Sequence, residues 1–382
     1  MAPDYTHPGL SDLARRARRR IPHFVWEYLD CGTGTDDARR RNRHALDRIR
    51  LVPRGLAGEV APRLSCSLLG QTWSMPVGIA PIGMSGLVWP GAEEILARTA
   101  RDAGIPYCLS TVATRTPEEI GSVAGPSGWF QLYPPRDAEI RRDILRRAAG
   151  AGFRVLVLTI DVPVMSRRER QRRAGIRVPP RLSPRILWQI AQRPAWALGT
   201  LRHGIPGLPL MASYAPAGGT SVARADHALR TAPDTAYLAR LREEWAGPLV
   251  VKGVMDPDLA ATLPDAGVDA VWVSNHGGRQ LDAAPAAIEA LPAVRRAVGP
   301  GFPVIFDSGV ESAVDVLRAL ALGADFVMLG RAWHHAVAAL GAEGARYLAR
   351  MLAEDLAVNM VQMGAATLSD LPARRWRSGS DD

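Results

Sequence analysis

A histidine that could act as a general base lies in the stretch Ser274-Asn275-His276-Gly277-Gly278-Arg279-Gln280-Leu281-Asp282. An imidazole titrates near neutrality, which suits proton abstraction. Arg279 follows three residues later and can clamp a carboxylate through two parallel N–H bonds. A lone histidine is more often a hydrogen-bonded core residue, but the flanking glycines and arginine favour a site. Asp161, in Thr159-Ile160-Asp161-Val162-Pro163, could orient and charge-stabilise that imidazole. Its plainer alternative is a helix N-cap. Arg167 and Arg168 come next; one of them facing a substrate anion competes with both being solvated.

Lys252 is the one lysine among 47 basic residues. An ammonium and a guanidinium are not interchangeable, so a position that keeps its lysine in an arginine-biased chain points to a need for that group. It can stabilise negative charge developing on an electron-accepting ring, or it can form a Schiff base. Asp307-Ser308-Gly309 and Gly330-Arg331 offer backbone amides and a guanidinium that suit a phosphate dianion. Together these residues describe a phosphorylated cofactor with its ring near Lys252 and an anionic substrate facing His276, Arg279 and Arg168. No G-x-G-x-x-G follows a strand-like run, so a Rossmann nicotinamide site is unsupported. No H-x-x-x-H or cysteine pair argues for a metal.

These residues sit at the ends of short apolar runs. The runs are Val77–Pro81, Tyr107–Thr111, Trp129–Tyr133, Val155–Asp161, Leu249–Gly253, Ala270–Asn275, Val304–Gly309 and Phe326–Gly330. Amphipathic helical stretches usually follow them. Continuous apolar strands alternating with helices imply a parallel sheet covered on both faces. Eight such units predict an α/β fold, a closed (β/α)8 TIM barrel, with an open doubly wound sheet as the alternative. With 382 residues and 47% hydrophobic content, a full core is available and disorder is excluded as the main state. The expectation is a single barrel domain over 1–382. Residues 1–60 form a helical N-terminal segment, with Ser11–Arg20 and then a helix opened by Pro22, broken by Asp30–Thr35. Between Asp161 and Leu249 lie 87 residues, a long insertion in the fourth βα-loop. Within it, Arg170–Ala225 holds nine arginines and no Asp or Glu.

Three cysteines, Cys31, Cys66 and Cys108, make no disulfide framework. Residues 1–30 lack an apolar h-region, so no signal peptide is expected. No window offers the ~18 apolar residues of a spanning helix. A cytoplasmic location and no nucleic-acid partner are expected.

The stretch Ser274–Asp282 resembles the signature of the FMN-dependent L-2-hydroxy acid oxidase and dehydrogenase family, and the likeness extends over roughly Tyr28 to Met363. Gly86-Leu87-Val88-Trp89-Pro90, Arg193-Pro194-Ala195-Trp196 and Arg202-His203-Gly204 are most similar to its membrane-associated mandelate and L-lactate dehydrogenases. The resemblance implies FMN as cofactor, with Pro81, Ile82, Gly83, Ser110, Gln131, Thr159, Lys252 and Ser274 along the flavin. Asp307, Ser308, Gly309, Gly330 and Arg331 would hold its ribityl and phosphate groups. It implies Tyr28, Arg168, Arg279 and Tyr133 as substrate-binding residues, and His276, Asp161, Lys252 and Tyr133 as the catalytic set. One departure stands out. The family usually places an arginine where this chain has Glu311. An inward carboxylate would repel a dianion, so Glu311 is expected to turn outward.

By the resemblance, an (S)-2-hydroxy acid would be oxidised to its 2-oxo acid, His276 taking a proton from the α-carbon or the hydroxyl. Gly83 and Val112 suggest room for a bulky substrate. The insertion, 170–225, is expected to lie over the active site and on a membrane surface, peripheral to the inner face of the cell membrane, with a quinone or similar electron acceptor. Its rival is a soluble lid. A homo-oligomer, a tetramer by resemblance, is implied. The alternatives are a soluble oxidase making hydrogen peroxide, a non-catalytic flavin- or lipid-binding relative, and a Schiff-base aldolase acting through Lys252.

Overall fold

A computed structural model describes residues 3–176, 182–214 and 230–376. A short hairpin, β1 (Cys66–Leu68) and β2 (Gln71–Trp73), precedes the barrel strands. These are β3 (Val77–Ile79), β4 (Tyr107–Ser110), β5 (Gly128–Leu132), β6 (Val155–Thr159), β7 (Leu249–Lys252), β8 (Ala270–Val273), β9 (Val304–Phe306) and β10 (Phe326–Leu329). All eight pair in parallel and in chain order, and β10 closes on β3. The open-sheet alternative is thereby excluded. Seven strands lie within their expected runs and β5 starts one residue early, at Gly128; each stops one to three residues short of its run's end. Asp161, His276, Asp307 and Arg331 therefore lie just beyond the hydrogen-bonded ladder and Thr159 and Lys252 end it, at the C-terminal mouth where barrel sites form.

Every residue of the eight barrel strands is buried, as expected for a parallel sheet covered on both faces. Side chains alternate between the two faces. Phe130, Leu156, Leu158, Leu249 and Val251 pack outward with the helices. Trp129, Val155, Val157, Val250, Trp272, Ile305, Phe326 and Met328 fill the barrel interior. The β1–β2 hairpin, which the sequence reading missed, adds Leu68 and Trp73 to that interior cluster, and Trp73 meets Trp129 edge to face, 6.3 Å between centroids. Its strands are too short to show a period. The same alternation carries upward from this plug. Two residues beyond Cys108, Trp129, Val157, Val250, Trp272 and Ile305 stand Ser110, Gln131, Thr159, Lys252, Ser274 and Asp307.

The N-terminal segment forms helices Leu10–Arg20, His23–Asp30 and Asp37–Arg48 within the expected helical stretch, but 49–60 is not helical. Described parts of the insertion form helices Glu169–Arg173, Pro184–Ala191, Pro194–His203 and Pro209–Ala212. Pro184 and Pro194 start helices, where a missing N–H is harmless. Expectations for 177–181 and 215–225 lie outside the described residues. The insertion docks on the N-terminal helices. Phe24 N donates to Gln189 Oε1 at 2.9 Å, Trp196 Nε1 donates to Leu87 O at 3.0 Å, and Phe24 meets Trp196 edge to face.

Candidate active site

A polar belt crowns the barrel. Ser110 Oγ donates to Gln131 Oε1 and Gln131 Nε2 donates to Thr159 Oγ1, both at 2.9 Å. Register makes these contacts, since Ser110 pairs with Gln131 across β4–β5 and Thr159 with Lys252 across β6–β7. Lys252 Nζ donates to Ser274 Oγ at 2.7 Å and pairs with Asp307 Oδ2 at 2.9 Å. Burial opposes its charge, but Asp307 and Asp161 outweigh it and raise the ammonium above its ordinary value. A lysine held charged in this way is a poor Schiff-base nucleophile, which needs the free amine.

His276 stands beyond β8 with φ 56°, followed by Gly277 at 64° and Gly278 at 75°. Three successive left-handed residues make a tight turn, and strain at a non-glycine residue is typical of functional sites. Ser274 Oγ accepts from His276 N at 3.0 Å, and Ser308 Oγ accepts from Gly277 N at 3.0 Å. The turn is also pinned by Asn275, which exchanges amide hydrogen bonds with Asn42 at 2.8 Å each way. His276 Nδ1 lies 3.1 Å from Asp161 Oδ1. Burial pushes the imidazole below its ordinary value, against the pull of Asp161. Burial would raise Asp161, but His276 and Lys252 hold its carboxyl below the usual range. The pair is thus a neutral imidazole beside a carboxylate.

Arg168 donates to Ser166 Oγ and Gln280 Oε1, and it has no carboxylate partner among the described residues. Burial and the neighbouring Arg279 guanidinium push its pKa down to about 10. Arg279 donates to the carbonyls of Tyr28, Leu29 and Cys31 at 3.0–3.1 Å, at the C-terminal end of helix His23–Asp30. Two of its five N–H groups remain for a ligand. The Tyr28 ring lies 5.8 Å from Arg279, and its hydroxyl donates to Gly83 O at 2.8 Å. Tyr133 lies under the Arg230 guanidinium, 3.6 Å from its ring centre. Pro81, Ile82 and Gly83 follow β3 on the same rim.

At the β9–β10 end, Ser308 and Gly309 take φ 89° and 88°. Arg331 opens helix Arg331–Leu340 after Gly330. Its Nε and Nη2 donate to the carbonyls of Leu29, Cys31 and Gly277, leaving Nη1 free to serve an anion. Burial, Arg279 and Arg39 push its pKa down to about 10. An added Cβ at Gly277 would lie 2.9 Å from that Nη1, so only glycine leaves it clear. Glu311 is exposed, as expected, and its backbone N donates to Asp315. The donor set fits FMN: concentrated positive charge and a helix N-terminus for the phosphate, and a belt of hydrogen-bonding groups with a buried ammonium for the ring.

The sequence reading missed Ser166 and Gln280, which steady Arg168, and also Arg170 and Arg230. Gln280 lay inside the quoted signature; the arginines were hidden by the abundance of arginine.

The model of the FMN-dependent dehydrogenase family matches residues 17–378. An L-lactate dehydrogenase of Caulobacter vibrioides is 38% identical over 368 residues, covering 94% of this chain and 95% of the relative. One from Pseudomonas aeruginosa is 36% identical over 370 residues, covering 95% and 96%. The crystal structure of the monotopic membrane protein (S)-mandelate dehydrogenase superposes with a TM-score of 0.91 at 32% identity, covering 97% of this chain and 99% of that one. Mandelate oxidase superposes at 0.80 with 34% identity, covering 96% and 97%. With that coverage, and with a site suited to a flavin mononucleotide, this chain belongs to the FMN-dependent dehydrogenase family.

Proposed function

We propose that this chain oxidises an (S)-2-hydroxy acid to the 2-oxo acid. The observation that carries the reading is a neutral imidazole paired with Asp161 beside two guanidinia, Arg168 and Arg279, without carboxylate partners among the described residues. A 2-hydroxy acid presents a carboxylate and, one carbon away, the C–H and O–H bonds to be broken. Arg168 and Arg279 hold the carboxylate, and the Tyr28 hydroxyl shares that wall. His276 Nε2 takes a proton, and Asp161 stabilises the resulting imidazolium. Bound FMN would accept the two electrons and the second of the two protons released. Lys252 presents a fixed positive charge to the ring site, and Ser110, Gln131 and Thr159 order its polar edge. Charges placed in advance of reaction supply much of the acceleration. The similar L-lactate and (S)-mandelate dehydrogenases support this substrate class.

The acceptor reading is a quinone reached from a membrane surface. None of the described helices is long and apolar enough to cross a membrane. Residues 182–214 carry Arg185, Arg193 and Arg202 and no carboxylate. Ile186 and Trp196 are buried inward, while Leu182, Leu187, Trp188, Leu198, Leu201 and Ile205 are exposed. Such a face suits the headgroup boundary, and the neighbour described as a monotopic membrane protein supports it. Anaerobic bleaching of the flavin by L-lactate, glycolate, (S)-mandelate and long-chain hydroxy acids tests the reaction. Bleaching by at least one of them is expected; bleaching by none overturns the reading.

A further inference from the structure

Arg170 lies two residues beyond Arg168, at the start of the insertion, and every donor group of its fork is bound to carboxylates. Nε and Nη2 straddle Glu27 at 2.6 and 3.0 Å, Nη2 also reaches Asp30 at 2.9 Å, and Nη1 reaches Asp36 at 2.6 Å. The three carboxylates are nearly buried. Burial works against the charged guanidinium, yet these hydrogen bonds raise its pKa above the ordinary value. Asp30 is shared with Arg39 at 2.7 Å, and Asp36 also accepts from Gly32 N at 2.8 Å.

The cluster sits between two substrate-facing residues. Glu27 and Asp30 bracket Tyr28 on helix His23–Asp30. Gln171, next to Arg170, donates to Tyr28 O at 3.2 Å. On the other side Arg168 has φ 47°, a left-handed backbone that its surroundings must hold. Asp36 is left-handed too, at φ 66°. A planar fork binding two carboxylates on one element and a third on the next fixes distance and angle together, which an ammonium cannot do.

We propose that Arg170 is a positioning residue that joins Glu27, Asp30 and Asp36 and so holds Arg168 and Tyr28 at the spacing that receives the substrate carboxylate. The proposal rests on the reading of the site as a hydroxy-acid site. Arg170 touches neither substrate nor the flavin site; it acts through its neighbours.

The test uses the flavin-loaded enzyme and oxalate, a dicarboxylate whose binding is read from the flavin absorbance without turnover. Arg170→Met is expected to keep its FMN and weaken oxalate by about tenfold or more, raising KM more than it lowers kcat. Arg170→Lys is expected to recover only part of this. Loss of a positive charge alone would also weaken an anion, so Glu27→Gln and Asp36→Asn decide between causes. Each removes a negative charge. If charge alone matters, oxalate binds tighter; if positioning matters, it binds more weakly by about two- to fivefold. These two variants also serve should Arg170→Met fail to fold. Tighter oxalate binding in both, or unchanged oxalate binding and KM in a folded Arg170→Met, overturns the proposal. Failure of the wild type to be bleached by any 2-hydroxy acid would overturn the functional reading instead, while the oxalate affinities still decide whether Arg170 orders the anion site.

Discussion

His276 Nδ1 stands 3.1 Å from one oxygen of Asp161, and the other oxygen of that carboxylate is buried without a hydrogen-bond partner among the described residues. A carboxylate only accepts, so Nδ1 must carry the proton and Nε2 keeps its lone pair. The geometry therefore fixes the tautomer that a base requires. It also sets where the positive charge will be met once a proton has been taken.

His276→Ala is expected to retain FMN and to lose flavin reduction by at least about a thousandfold, within the range for a general base. The wild-type reduction rate should rise with pH along a limb centred below the ordinary imidazole value of about 6.5, because burial lowers the folded pKa and only the neutral ring is a base. Asp161→Asn should slow reduction and move that limb further acid, since it removes the pull that opposes burial. Stopped-flow bleaching against pH reads both. A limb centred above 6.5, or near-normal reduction in His276→Ala, contradicts the role.

Lys252 and Asp307 form a second pair, buried at 2.9 Å. Lys252→Met leaves the Asp307 charge uncompensated in the barrel mouth, a change that typically destabilises by about 3–5 kcal/mol. Its Tm should fall and its FMN-to-protein ratio should drop. Adding Asp307→Asn should restore part of the Tm without restoring the flavin. Equal Tm for the single and double variants would show that the pair is not coupled.

Gly83 tests the expectation of a roomy pocket. A Cβ added there would lie 2.6 Å from Val112 Cγ2 and 3.6 Å from the Tyr28 hydroxyl. The glycine therefore leaves space that Val112 already fills in part. Gly83→Ala should lower kcat/KM for (S)-mandelate more than for L-lactate, and Val112→Ala in the same chain should recover part of the loss. Relief of one clash is worth roughly 1–3 kcal/mol. A larger loss for L-lactate would place Gly83 away from the substrate side chain.

The barrel was legible because its strands are continuous apolar runs with polar tips, whereas the belt residues Ser110, Gln131 and Thr159 came only from the family resemblance. The chemistry-bearing residues of the candidate site were read from the tips, because Asp161 follows β6, Lys252 ends β7, and His276 and Arg279 both follow β8. The hairpin Cys66–Trp73 was not legible, since three-residue strands show no periodicity. Arg170 and Arg230 were hidden for another reason. Their partners, Glu27, Asp30, Asp36 and Tyr133, lie far away in the chain, and no local pattern distinguishes a buried arginine from a solvated one. Within the insertion Ile186 and Trp196 turn inward while Leu187 and Trp188 stay exposed, a division that only the docking on Phe24 and Leu87 sets.

Two histidines away from the reacting centre should govern acid stability. Burial pushes His334 down to about 4 and His335 down to about 3. In the unfolded chain each takes a proton near about 6.5. Below that value the unfolded state binds more protons, so stability is present above it and is lost as pH falls towards the folded values. His335 stacks on Trp26 at 5.2 Å while its Nε2 has no partner, so His335→Phe keeps the stack and removes the buried orphan nitrogen. His335→Phe should lose less Tm than wild type between pH 8 and pH 5, while His334, whose ring bonds Ser85 Oγ at 2.7 Å and Gly330 O at 3.0 Å, is left in place. Parallel Tm–pH curves would show that the His335 ring does not carry the dependence.

The membrane reading makes the last prediction. Leu182, Leu187, Trp188, Leu198, Leu201 and Ile205 are exposed, with Trp188 at 66%, Leu198 at 57% and Leu201 at 78%. Their neighbours among residues 182–214 bring arginine charge and no carboxylate. An apolar face entering the headgroup boundary, with each nearby arginine adding about 1 kcal/mol on anionic lipid, gives binding that is strongest at low salt. The intact protein should sediment with vesicles containing anionic lipid at moderate salt and less with neutral vesicles. Trp188→Ser, Leu198→Ser and Leu201→Ser combined should release it while leaving anaerobic flavin bleaching unchanged, because these side chains point away from the barrel core. The same enzyme in air with hydroxy acid alone should release little hydrogen peroxide, and a soluble quinone analogue should restore turnover. Rapid peroxide formation with no vesicle binding would make this chain a soluble oxidase, with the exposed face of the insertion serving some other contact.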